Sequence, residues 1–445
     1  MNHVRLFQSP FKKALILENP SEQLDSLLES QGIEPERLPE ERTLDRDYVI
    51  QRLRDGQHDL IYKRSRFEVD EEVLAASKNL AAVMLCCIGD DSVDKQACAD
   101  RGIMVMNDPI SNGRSVVEMV FGEMVCMARR IFHAVENTRQ STWTKDNKAR
   151  FELMGKNLSI IGLGNIGKAV AQMADAFGMH VYFFDTRPVA QEVGTTLGWT
   201  KCASLDQALR VADFVTVHVS AEDAMGQSNR NFLSYENFAQ LGADRGPQSP
   251  RIFVNAARGF LFEPEDLKRA VREGAIHYAA VDVFPEEPGS KSDVWQNPYA
   301  DLSEIVATPH IGAATQEAQP RIAQHIAMTT AMFGQYGTLR DCVYAPNQNI
   351  GVQGAEPSHI LAVVHSDARG TKKAVADAIY DAGANSIESS HRDFPKYGIA
   401  YDITALDRPL TMEQIQNLIE NARKISGDET AIRSIRQISV GTPRA

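Results

Sequence analysis

The chain has 445 residues, of which 43% are hydrophobic and 24% charged, and it carries a formal net charge of −12. That length allows about two to four domains, each with enough apolar material for its own core. The acidic balance argues against general nucleic-acid binding and against docking on anionic membranes, so any anionic ligand needs a local cluster of cations.

The six cysteines are scattered without metal-ligand spacing. No metal and no disulfide framework are expected, and a reducing, cytoplasmic compartment fits best. The N-terminal stretch MNHVRLFQSPFKKALILENP lacks the apolar core of a signal peptide. The most apolar long segment, Ser115 to Phe132, contains Glu118, Glu123, Arg129 and Arg130. It reads as a buried helix rather than a membrane span.

In chain order, short β-like runs alternate with helical patterns over the first 310 residues. The early runs are KALILEN, DLIYKRS, LAAVMLCCIG and IMVMND. The helix from Ser115 follows, and it places a domain crossing at residue 111. Then come LSIIG, HVYFFD, DFVTVHVS, RIFVNAARG, YAAVDVF and EIVATPHIG. Such alternation predicts parallel sheets covered by helices, hence an α/β fold with two Rossmann-like, doubly wound domains. The segment Ala239 to Pro250, rich in Gly, Pro and Ser, reads as surface decoration. A linker is expected at 346–357. Beyond it the pattern becomes strand, helix, two strands, helix, strand, the βαββαβ order of a ferredoxin-like domain at 358–445. Domains are expected at 1–111 with 313–345, at 112–312, and in this C-terminal module.

LSIIGLGNIGKAV carries Gly162, Gly164 and Gly167 as GxGxxG between a buried strand and a helix, with Asn165 and Ile166 inside the turn. Glycines permit the tight turn and close approach of backbone to a pyrophosphate, and the helix start favours its charge. The next strand ends at Asp185, 23 residues after Gly162. A carboxylate there accepts hydrogen bonds from the adenosine ribose and repels a 2′-phosphate, so NAD is the expected cofactor. Arg187, two residues on, leaves some room for NADP.

Ligands of open α/β sheets sit beyond the carboxyl ends of the strands. Those ends carry His218 and Val219, Ala256 and Arg258, Asp282 with Glu287, and His310 with Gly312. Singly, each of the polar ones is an ordinary loop residue. Jointly they suit oxidation of a 2-hydroxy acid. His310 is the natural base for the hydroxyl proton, Glu287 its orienting carboxylate, and Arg258 the planar fork for the substrate carboxylate.

NAARG, DVFPEEP and TPHIGAATQEAQ resemble the signatures of the D-isomer-specific 2-hydroxyacid dehydrogenases, and the similarity spans roughly residues 12 to 345. The resemblance implies the same roles for Arg258, Glu287 and His310. It is closest to the members that oxidise 3-phosphoglycerate at the start of serine synthesis, through HIGAATQEAQ and YKRSRF. It therefore implies a substrate role for Arg64, Ser65 and Arg66, with Asn112 and Arg114 at the crossing. Trp143 matches a residue that packs near a neighbouring subunit's nucleotide site, so a homo-oligomer, dimer or tetramer, is expected. Ser220 replaces a proline frequent in relatives. The same chemistry would serve 4-phosphoerythronate or 2-hydroxyglutarate, or run in reverse on 2-oxoglutarate. Corepressors that sense NAD share the fold, but here the catalytic set is complete.

The last domain resembles an ACT module, whose effector motif H-x-N-x-P-G is here His365 to Gly370, HSDARG, followed by Asn385. Asp367 replaces the motif's amide and can only accept hydrogen bonds, while Arg369 takes the proline position. Control by L-serine through His365, Asp367 and Asn385 is one expectation. A purely structural oligomerisation module is the other.

Overall fold

The computed structural model describes residues 4–7, 9–223, 226–288, 294–345, 348–352 and 359–440. Two compact units divide the chain: Met1–Ser111 with Gln319–Ala445, and Asn112–Ala318.

The first unit begins with β1 (Arg5–Phe7), β2 (Lys13–Ile16), β3 (Glu34–Arg37), β4 (Leu60–Lys63), β5 (Ala82–Leu85) and β6 (Met104–Met106). Strands β2 to β6 form a parallel sheet in the order β3-β2-β4-β5-β6. β4 and β5 are buried throughout, which is why LIYK and AVML read as continuous runs rather than alternating ones. β3, with the sequence EPER, had no apolar signal because it is a half-exposed edge.

The second unit holds β7 (Asn157–Ile161), β8 (His180–Phe184), β9 (Thr200–Lys201), β10 (Phe214–Val217), β11 (Ile252–Asn255), β12 (Tyr278–Val281) and β13 (Ile305–Ala307). All pair in parallel in the order β13-β12-β11-β10-β7-β8-β9. The order reverses at β7 and β10, the switch point at which such sheets open a crevice. The helices Gly113–Ala128 and Asn165–Ala176 bury Val120, Met124, Val170 and Ala174 in the core on one face. Leu209, Phe238, Phe253 and Leu267 fill the other. The segment 239–250 is more than decoration. Leu241 is buried in that second core, and Arg245 forks onto the buried Asp213 at 3.0 and 3.2 Å. A loop rich in small residues carried one apolar anchor and one cation that its composition masked.

The chain returns to the first unit and ends in β14 (His359–Ser366), the helix Thr371–Asp381, β15 (Ser386–Phe394), β16 (Ile399–Leu406), the helix Met412–Ser426 and β17 (Ile432–Ser439). The sheet order is β1-β17-β14-β16-β15, so the N-terminal β1 adds a parallel fifth strand beside β17. Alternate residues separate the faces. Leu361, Val363 and Ile435 lie under the two helices. Ile360, Val364, Tyr401, Ile403 and Ile438 join Phe333, Leu339 and Tyr344 in the core of the first unit. The terminal module, read from the sequence as a separate small domain, thus belongs to the same compact unit. Its sheet is apolar on both faces, and the face without helices needs cover. Of the expected linker, residues 346–347 and 353–357 lie outside the described residues, and Ile350 bridges to Leu339. Among the described residues, no helix is long and apolar enough to cross a membrane.

Candidate active site

The glycine turn connects β7 to the helix Asn165–Ala176, with Gly164 as its N-cap. Gly162 has φ of +93°, and a Cβ there would lie 2.7 Å from the His218 carbonyl oxygen and 3.0 Å from Val219. A Cβ on Gly167 would fall 2.1 Å from the Gly162 oxygen, so the helix rests directly on the turn. At Gly164, by contrast, the nearest atom to an added Cβ is 3.8 Å away. Asn165 is exposed and Ile166 half-buried at the helix start. A turn crowded from inside and open along the helix N-terminus fits a dinucleotide's pyrophosphate.

Asp185 follows β8 and is buried. Its carboxylate accepts from the Leu163 amide at 2.7 Å and from the Arg187 amide at 2.8 Å. The Arg187 guanidinium also forks onto it, at 2.7 and 3.0 Å. Burial pushes this carboxyl's pKa up, but the hydrogen bonds and charge of Arg187 outweigh it and hold the group below its usual value. The two residues that gave opposite hints about NAD and NADP are therefore one ion pair.

The remaining site residues follow β10 to β13, four neighbouring strands. His218 comes directly after β10. Its Nε2 lies 2.9 Å from the Thr216 hydroxyl, and burial lowers its pKa to about 3, so the ring is neutral. Val219 and Ala256 are half-buried beside it in sequence and strand order. Arg258 follows β11, and Asn255 shapes its turn, donating to the Arg258 carbonyl at 2.9 Å and accepting from the Ala257 amide at 3.0 Å. Asn255 is fully buried.

Asp282, directly after β12, is buried and gathers the chain around the last site residue. One oxygen accepts from the Thr308 hydroxyl at 2.6 Å and the Ile311 amide at 2.9 Å; the other accepts from the Gly312 amide at 2.8 Å. His310 sits inside that loop with φ of +52°, a left-handed conformation uncommon for a residue with a side chain. Its Nδ1 lies 2.7 Å from Glu287 Oε2, and the other Glu287 oxygen accepts from the Phe284 amide at 3.1 Å.

The pair is electrostatically coupled. The Glu287 hydrogen bond raises the His310 pKa above its ordinary 6.5; partial burial opposes this, and the charges of Glu287 and Asp282 add to the rise. Burial alone would raise Glu287, but His310, the Phe284 amide and the Arg258 charge bring it below its ordinary value. Behind the site, Glu123 is buried with neither carboxyl oxygen hydrogen-bonded among the described residues. Burial and the Asp282 charge push its pKa up to about 8.

Asn112 is buried, with its side-chain oxygen lacking a partner among the described residues. Arg114 is exposed and paired with Glu118 at 2.5 Å. In the other unit, Arg64, Ser65 and Arg66 form the turn after β4, with Ser65 and Arg66 exposed. The buried Glu18 carboxylate shapes that turn by accepting from the Arg66 amide at 3.1 Å and from the Phe67 amide. The fully buried Lys63 donates to the Arg64 carbonyl at 2.8 Å and to Ser92 at 2.5 Å. Neither Glu18 nor Lys63 was legible as shaping this turn, because each does so through the turn's backbone groups.

In the C-terminal sheet, His365 is buried with Nδ1 2.8 Å from the Ser366 carbonyl oxygen and Nε2 2.9 Å from Asp402. Asp367 and Asn385 are exposed. Their backbone amides donate to the Gly398 carbonyl at 3.1 Å and the Asp407 carboxylate at 2.9 Å, respectively.

Residues 121–312 match the profile of the D-isomer specific 2-hydroxyacid dehydrogenase NAD binding domain. Over 437 residues the chain is 31% identical to D-3-phosphoglycerate dehydrogenase 1 of Saccharomyces cerevisiae, covering 94% of this chain and 88% of that protein. The chain belongs to the D-isomer-specific 2-hydroxyacid dehydrogenases. It is 32% identical over 343 residues to the D-3-phosphoglycerate dehydrogenase of Escherichia coli, covering 77% of this chain and 79% of that one. Among solved structures, the TT0316 protein from Thermus thermophilus superposes with a TM-score of 0.59 at 26% identity, covering 72% of this chain and 95% of that one. The pyruvate reductase of Chlamydomonas reinhardtii shares the fold, with a TM-score of 0.58 at 20% identity over 73% of this chain and 97% of that one. This dehydrogenase uses NAD, and the turn at Gly162 to Gly167 with Asp185 fits that cofactor.

Proposed function

We propose that this dehydrogenase oxidises D-3-phosphoglycerate to 3-phosphohydroxypyruvate, the first step of L-serine biosynthesis. One observation carries the chemistry: Glu287 holds Nδ1 of His310 at 2.7 Å, the two residues following β12 and β13, the next two strands of the sheet beyond the one that Arg258 follows. With Nδ1 held, Nε2 is the atom that takes the substrate's hydroxyl proton. Arg258 binds the carboxylate through its planar fork and orients C2. Bound NAD supplies the acceptor for the hydride leaving C2. Glu287 stabilises the imidazolium formed as the proton arrives, and Asp282 keeps the loop of His310 in place. Arg64, Ser65 and Arg66 are assigned the phosphate, and Asn112 and Arg114 supporting contacts to the substrate. Purified enzyme with NAD and a panel of hydroxy acids tests the reading. NADH should form fastest with 3-phosphoglycerate, and a clear preference for 4-phosphoerythronate or 2-hydroxyglutarate would replace it. The 2-oxoglutarate reduction is measured in the same panel with NADH.

A homo-oligomer, dimer or tetramer, completes the reading. The helix Ile131–Arg139 buries no residue, and Trp143 is 85% exposed beyond it. With Ile131, Phe132 and Val135 also exposed, this arm suits a second copy of the chain, and sedimentation of the purified protein measures it. For the C-terminal domain, its resemblance to an ACT module supports L-serine as effector near Asp367 and Asn385. His365 would have to release Asp402 to take part. Activity flat up to millimolar serine would leave that domain a structural role.

A further inference from the structure

The C-terminal sheet brings two histidines and a carboxylate together, although nothing in their sequence spacing suggests it. His391 on β15 pairs directly with Asp402 on β16, and His365 lies one strand further, on β14. Potential ligand atoms of the three all lie within 4.8 Å of one another. His365 Nε2 is 2.9 Å from one Asp402 oxygen, and His391 Nδ1 is 2.9 Å from the other. Each ring's second nitrogen is also tied. His365 Nδ1 meets the Ser366 carbonyl oxygen at 2.8 Å, and His391 Nε2 meets an Asp393 oxygen at 2.7 Å.

These contacts leave protons short. Carbonyl and carboxylate oxygens only accept hydrogen bonds, and a neutral imidazole has one N–H. If each outer nitrogen donates, each inner nitrogen presents a lone pair to the Asp402 carboxylate. Protons alone satisfy all four contacts only with two extra protons, either on two imidazolium rings stacked 5.7 Å apart and 20° from parallel, or on one imidazolium and a neutral Asp402 carboxyl. A single protonated Asp402 could donate to only one ring. One cation between the two lone pairs and the carboxylate satisfies every atom. The outer contacts are moreover the kind that orient a metal-bound histidine, a carbonyl on one ring and a carboxylate on the other.

We propose that His365 Nε2, His391 Nδ1 and Asp402 bind one divalent transition cation of the Zn2+ class. Two imidazoles with one carboxylate favour Zn2+, Co2+ or Ni2+ over Mg2+ or Ca2+. Metal–ligand lengths of about 2.0–2.1 Å in a tetrahedral site put ligand atoms about 3.3 Å apart. The 2.9 Å contacts open by a few tenths of an ångström, and the two nitrogens, now within 4.8 Å of each other, draw in toward that spacing. Entry is from the edge strand, where the His391 side chain is 20% exposed while His365 is 2% exposed.

The full-length enzyme, stripped with a chelator and dialysed against Co2+, tests the site by metal content and visible spectrum. We expect one Co2+ per chain with bands of a four-coordinate nitrogen and oxygen site, displaced by Zn2+. His391→Ala and Asp402→Asn should each abolish that equivalent, and Asp393→Asn should weaken binding about 10- to 100-fold. Dehydrogenase activity of His391→Ala, expected at the wild-type level, reports that the chain is folded. Wild-type enzyme retaining no stoichiometric Co2+, or His391→Ala keeping the wild-type spectrum and affinity, overturns the proposal. Should His391→Ala lose activity, wild-type stoichiometry together with the affinity of Asp393→Asn decides.

Discussion

His310 is held in a left-handed backbone conformation by a loop that Asp282 ties together, with its ring fixed by Glu287. Losing the base should lower kcat by about 10²- to 10⁴-fold in His310→Ala while NADH still binds, as its fluorescence would show. Arg258→Ala should cost about 2–5 kcal/mol in kcat/KM, the scale of truncating one partner of a hydrogen-bonded charge pair. Near-normal rates in His310→Ala would remove the proton-transfer role. The Glu287 contact also predicts a pH signature. Oxidation needs the neutral ring, and Glu287 raises the His310 pKa above 6.5, so the rate of oxidation should fall as pH drops through that raised value. Glu287→Gln removes the negative charge, so the acid limb should move to lower pH as kcat falls. Reduction, which needs the protonated ring, should instead lose its rate at lower pH than in the wild type. An unmoved limb in Glu287→Gln would detach the carboxylate from the titration.

At the scale of elements, the helix Gly113–Ala128 carries an opposite kind of carboxylate. Glu123 faces the core side of that helix, where burial and the Asp282 charge raise its pKa from 4.5 to about 8. A group with a raised folded pKa binds more protons in the folded state, so its stabilisation is full below about pH 4.5 and is lost as pH rises through about 8. The loss is of order a few kcal/mol by linkage. Glu123→Gln keeps the shape and removes the titration, so its thermal stability should decline less between pH 6 and about 9 than that of the wild type. Parallel declines measured by calorimetry would show that Glu123 is solvated in the folded state.

For the whole molecule, the C-terminal sheet is part of the first unit's core. Tyr401 donates to the Gly337 carbonyl at 2.5 Å and Ser434 to the Gly102 carbonyl at 3.0 Å. Arg436, buried between Phe11 and Phe333, donates to the Phe333 carbonyl. Ending the chain after Ala345 would expose Phe333, Leu339 and Tyr344 and leave β1 without its partner strand. An exposed apolar patch of that kind drives association. The truncated protein should melt at lower temperature and sediment as aggregates, whereas a monodisperse product with unchanged melting would mean the sheet contributes no shared core.

Features confined to contiguous residues were legible in the sequence alone. Gly162, Gly164, Gly167 and Asp185 lie within one strand–turn–helix–strand unit whose spacing reflects the ligand it fits. Arg258, Asp282 and His310 could be read because parallel strands all end on one edge of their sheet. Only the tertiary structure decided what depends on register and on which side chains meet across the fold. The polar edge strand β3, the pairing of β1 with β17 and the anchoring of Leu241 have no local hydrophobic signature. The cluster of His365, Asp402 and His391 exists only because β14, β15 and β16 align in antiparallel register, with His391 opposite Asp402 and His365 two residues along β14 from Val363, the residue opposite Asp402; a shift by one residue would turn each side chain to the opposite face.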